Sequence, residues 1–176
     1  MAKLLRIIGT LNAAVWFGSA VFVTVGLPVV FSAEVGRFVQ RPYVGIVAEN
    51  ILARYTIVQY WCAGIALFHF FASPLLLGRR LSKLVLSILL ILTSFALVSG
   101  LWLQPKMAHL HYVKYWGTVT ADKVEADRSF RAFHGCSQAA NLLVIIGLVI
   151  YVLKVTETQM PAMERPGFSA LRKLRS

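Results

Sequence analysis

Hydrophobic side chains run along this chain in long unbroken stretches, not in the alternation that marks half-buried helices and strands. Residues 7–31, 55–77, 84–103 and 133–153 contain no Asp, Glu, Lys or Arg. Each reaches the roughly 20 residues a helix needs to cross about 30 Å of hydrocarbon. Backbone amides in lipid must be satisfied within their own segment, so each stretch is predicted as a helix despite its Val and Ile. Pro28 and Pro74 fall near span ends, where a missing amide costs least. The predicted fold is therefore all-α: a polytopic membrane protein whose four transmembrane helices form one bundle, residues 1–176 making a single membrane domain.

The polar intervals differ in character. Residues 32–54 read as a mixed loop with room for an interfacial helix, residues 78–83 as a tight basic turn, and residues 104–132 as the longest polar stretch, suited to a helical extension. Residues 154–176 form a basic tail carrying Arg165, Arg172, Lys173 and Arg175. Lys3 and Arg6 ahead of an apolar run resemble the start of a signal peptide, but the run is too long for a signal core. No internal repeat or heptad pattern is visible.

Composition agrees: 58% of residues are hydrophobic, 14% are charged, and the mean hydropathy is +0.70. The net charge of +11 raises the question of nucleic acid. Nucleic-acid binders gather their basic residues on one water-facing surface, whereas here they sit between apolar runs. The expected partners are the lipid bilayer and other membrane subunits or further copies of the chain, with no nucleic acid. Ten of the 18 Lys and Arg flank the side that holds both ends, densest at Arg79, Arg80 and Lys83, and eight lie in the opposite loops. The positive-inside rule then puts both termini in the cytoplasm, for a bacterial inner membrane.

Candidate chemistry lies inside and just beyond the spans. On the fourth, His134, Ser137, Gln138 and Asn141 recur at spacings of three, one and three, one stripe of a helix. With Asn12, Gln59 and His69 they are expected to make an inward polar seam, as hydrogen-bonding glue or as the lining of a small cavity. Ala14 and Gly18 form a small-xxx-small pair suited to close helix contact. His109, His111, His134 and Cys136 gather near one end of the bundle as weak candidate ligands for a transition metal, without the closed spacing of known sites. Haem is disfavoured: His69 lies about 21 Å into its span at about 1.5 Å per residue, while His134 is at the mouth of its own. No cofactor is predicted, and Walker, dinucleotide and nucleophile-elbow motifs are absent from the sequence. Trp102, Tyr112, Tyr115 and Trp116 read as an aromatic interface belt, and the charges over residues 122–131 as a solvated helix face.

Four strings, in order, resemble the transmembrane protein 205-like family, a domain-of-unknown-function family of membrane proteins. They are the stretch from Trp16, Phe17 and Gly18 to Pro28 and Phe31; Ala53, Arg54 and Tyr55; Leu103, Gln104, Pro105 and Lys106 through Leu110; and Phe130 through His134 and Ser137 with Asn141. The resemblance covers most of residues 5–153. It implies a four-helix membrane protein and no established reaction, and His109 and His111 are not part of its pattern. The function expected is that of a membrane protein without evident catalytic site, an accessory or scaffolding subunit; the alternatives are a small transporter or metal-handling protein and a haem- or quinone-binding oxidoreductase subunit.

Overall fold

A computed structural model describes residues 2–77 and 82–157. The chain forms α1 (Ala2–Val30), a short 3-10 turn (Val35–Arg37), α2 (Arg41–Leu77), α3 (Lys83–Val98), a π-helical turn (Ser99–Leu103), α4 (Gln104–Trp116) and α5 (Thr120–Glu157). There is no strand among the described residues. The turn and α4 continue α3 with only a local change of winding, so four long helices are present, each apolar and long enough to cross a membrane. The protein is thus an all-helical integral membrane bundle. The basic tail beyond residue 157 and the basic pair Arg79 and Arg80 lie outside the described residues.

The helices close a ring in which α1 packs on α2 and α5, while α3 packs on α2 and α5. Small residues let α1 and α2 approach: Ala13 and Ala20 face Ala63 and Ala66, all buried. Trp16 fills the centre and meets the edge of Tyr151 at 6.3 Å between ring centroids. Leu89, Leu92 and Leu148 complete this core. Large apolar side chains point the other way: Phe22, Trp61, Phe68, Leu75 and Leu101 are each 70–86% exposed. Such an outward surface is stable only where lipid replaces water.

Two expectations change. Ala14 and Gly18 are exposed, and a Cβ built on Gly18 meets nothing within 4 Å. The close approach of α1 runs along Ala13, Trp16 and Ala20, on the other side of the helix. Within the interval read as a mixed loop with room for an interfacial helix, residues 41–54 are the first turns of α2 itself, which begins at Arg41 and buries Val44 and Ala48.

The apolar stretches of α2, α3 and α5 end at one level. Gln104 Nε2 donates to the Leu52 carbonyl at 3.3 Å and to Thr56 Oγ1, and the Trp102 and Phe133 rings meet edge to face at 5.6 Å. Beyond that level residues 41–54, 104–116 and 120–132 continue as helix for about 20 Å, at about 1.5 Å per residue. Pro105 explains the π turn at this boundary. It has no amide to offer the carbonyl one turn back, and the preceding Gln104 N–H bonds Ser99 five residues away.

Candidate functional site

The projecting ends carry the polar centre of the molecule. On α4, His111 is 5% exposed, and its Nδ1 lies 3.0 Å from Oε1 of Glu49 on α2. The ring is edge-on to Tyr115 at 4.9 Å and to Trp116 at 5.8 Å, with Phe130 of α5 at 6.2 Å. Behind it stands Gly45, where a Cβ would overlap the imidazole. Glycine is what lets α2 come this close. One turn further along α4, Lys114 Nζ is 2.6 Å from Asp127 of α5, which also receives Arg131 at 2.9 Å. Lys114 lies 5.1 Å from the centre of the Tyr115 ring as well.

Burial holds the His111 pKa below its ordinary 6.5; the Glu49 carboxylate opposes this and the Lys114 charge adds to it. The imidazole is therefore neutral near pH 7, and its Nδ1–H donates to Glu49. The hydrogen bond from Lys114, chiefly, with its charge and that of Arg131, holds the Asp127 carboxyl below its usual range. These groups act as ties between three helices. His111 is the one tie whose protonation changes within a few pH units of neutrality.

The seam residues separate into distinct places. Asn12 Nδ2 donates to the Cys62 carbonyl at 2.9 Å, linking α1 to α2 at a buried site. Asn141 Nδ2 donates to Thr24 Oγ1 at 2.6 Å, linking α5 to α1. Gln59 is buried and donates to the Tyr55 hydroxyl of its own helix at 2.8 Å. His69 lies against α1, where a Cβ on Gly9 would stand 2.6 Å from its Nε2. Ser137 is half-buried, while His134 and Gln138 are exposed and lie 3.1 Å apart within α5. The sequence stripe therefore faces two directions, Asn141 toward α1 and His134 and Gln138 outward.

The candidate ligands are also apart. His109 and Cys136 are exposed, His111 is buried against Glu49, and His134 stacks on Phe130 at 6.0 Å. Among the described residues no three His, Cys, Asp or Glu side chains gather as a metal site would need. Tyr115 and Trp116 pack around His111 on the projecting part, so only Trp102 of the expected aromatic belt sits at the apolar boundary. Asp127 belongs to the interhelical ties, whereas Asp122, Glu125 and Arg128 face solvent.

The sequence reading missed Glu49, Gly45, Thr24, Gln104 and Lys114 as interhelical partners. A signal for two of them is present: Val44, Ala48 and Ile51 recur at helical spacing beside Gly45 and Glu49, inside the interval that reads as a mixed loop or an interfacial helix.

The profile of the family described as a domain of unknown function (DUF4149) matches residues 11–115. No curated protein and no solved structure shows significant similarity to the chain.

Proposed function

Starting from the fact that the chain belongs to the family of domains of unknown function DUF4149, we propose that it is an accessory or scaffolding subunit of a membrane assembly. One observation carries this reading: residues 41–54, 104–116 and 120–132 run on as helix past the apolar stretches and are tied to one another at Glu49–His111 and Lys114–Asp127. Cross-linked helices of this kind form a stiff stub that can position a neighbour. The exposed residues Tyr112 and Val124, 62% and 67% accessible, lie on that stub.

In this reading the protein sits in the bacterial inner membrane with both ends cytoplasmic, supported by the Lys and Arg distribution. The likeness to the transmembrane protein 205-like family belongs to the same proposal. Three of its four strings fall within residues 11–115, and the last, from Phe130 to Ser137 with Asn141, lies beyond.

Extraction in mild detergent followed by intact-complex mass spectrometry tests the reading. The expected result is a stoichiometric complex with another membrane protein, lost in Tyr112→Glu or Val124→Glu while the chain stays folded. Recovery of the chain alone, or a complex indifferent to both substitutions, would overturn it.

A further inference from the structure

Arg54 is exposed and makes no ion pair or hydrogen bond among the described residues. It stands between Ala53 and Tyr55, where the apolar stretch of α2 begins, and so at the level of lipid headgroups. It also lines a groove of about 600 Å³ between α1 and α2. Phe22, Val23, Val47, Ile51 and Val58 make the groove apolar, and none of its lining residues is acidic. Its polar members besides Arg54 and the Tyr55 hydroxyl are Asn50 and Ser19, which donate to the Ile46 and Trp16 carbonyls of their own helices. Phe22 is 71% exposed, so the groove is open along its outer face.

A guanidinium without a counter-ion, set in an apolar cleft at the headgroup level, matches one chemistry. Arginine grips phosphate oxygens through paired N–H donors, and the apolar walls suit a hydrocarbon chain. A water-soluble anion would leave those walls uncovered.

We propose that this groove holds one anionic phospholipid, its phosphate on Arg54 and an acyl chain running from there past Val58 along the apolar stretch of α2. The lipid then supplies the counter-charge that the protein lacks here and seals the α1–α2 cleft.

The full chain reconstituted into nanodiscs of equal dioleoylphosphatidylglycerol and dioleoylphosphatidylcholine, then released for native mass spectrometry, tests this. One phosphatidylglycerol is expected to stay bound in preference to phosphatidylcholine, and inorganic phosphate should not displace it. Arg54→Gln should cut retention about tenfold, the scale of one charge-assisted hydrogen bond, while Arg41→Gln, about 20 Å along the same helix, should leave it unchanged. Equal retention of the two lipids by the wild type, or a wild-type level in Arg54→Gln, would overturn the proposal. If Arg54→Gln does not fold, the two-lipid comparison on the wild type decides alone.

Discussion

Glu49 of α2 and His111 of α4 pair beyond the level where the apolar stretches end, and their pairing illustrates how single residues hold this molecule. Neutral His111 is favoured by burial, so the folded protein takes up its proton at lower pH than the unfolded chain does. As pH falls through about 6.5 the unfolded state gains protons first, and the stability of the α4 docking falls with it. Protection factors for hydrogen exchange over residues 104–116, taken relative to the intrinsic exchange rate at each pH, should therefore fall between pH 7.5 and 5.5, and His111→Gln should flatten that dependence; an unchanged profile in the variant would show that another group is responsible. Asn141 offers a second test. Its bond to Thr24 crosses from α5 to α1, and such bonds inside membranes contribute about 0.6 kcal/mol on average, up to about 1.7. Asn141→Leu should lower the melting temperature in detergent, and a melting curve superimposable on wild type would show the bond carries no weight. The sequence made Asn12 and Asn141 legible as interhelical glue, because an amide in an apolar span must find a partner. It did not reveal which partner: the Cys62 carbonyl and Thr24 depend on helix rotation, which one chain's periodicity leaves open.

At the scale of elements, the instructive feature is the junction of α3 and α4. Pro105 removes an amide, the helix winds wider over Ser99–Leu103, and Gln104 is turned onto Leu52 and Thr56 of α2. Gly100 sits in this contact, where a Cβ would collide with the Tyr60 hydroxyl and Thr56. Gly100→Ala should destabilise the bundle by about 1–3 kcal/mol, the usual cost of overpacking. Gly18→Ala, where nothing stands within 4 Å, should be neutral or raise stability by about 0.5–1 kcal/mol through lower chain entropy. Thermal melts of the two variants in one detergent check the contrast, and equal losses would refute the packing assignment. The apolar cores of all four spans were legible because charge is excluded from them. The start of α2 was not, since residues 41–54 mix Arg, Glu and Asn with their apolar positions, and hydropathy alone reads that mixture as loop.

For the whole molecule, the bundle covers its outer surface with large apolar side chains such as Phe22, Trp61 and Leu75 while alanines line the α1–α2 contact around Trp16, unlike a water-soluble helical protein with its polar exterior. Residues 41–54, 104–116 and 120–132 then carry three helices past the apolar stretches, at the end of the bundle away from Ala2 and Glu157. Fold class followed from composition and run length, and the order of packing around the ring did not, because lipid-facing and buried faces are equally apolar. The projecting stub was only half visible: its helical content over residues 104–132 could be expected, but its third strut came from α2.

The claim on which the rest depends is that the segment joining α4 to α5 lies across the membrane from the amino terminus. Thr118 is exposed in that segment and Lys3 at the other end. In a background with Cys62→Ala and Cys136→Ala, a membrane-impermeant maleimide should label Thr118→Cys on intact cells and label Lys3→Cys only after permeabilisation. Labelling of Thr118→Cys that requires permeabilisation, or equal labelling of both sites on intact cells, would contradict the four-span arrangement and its orientation.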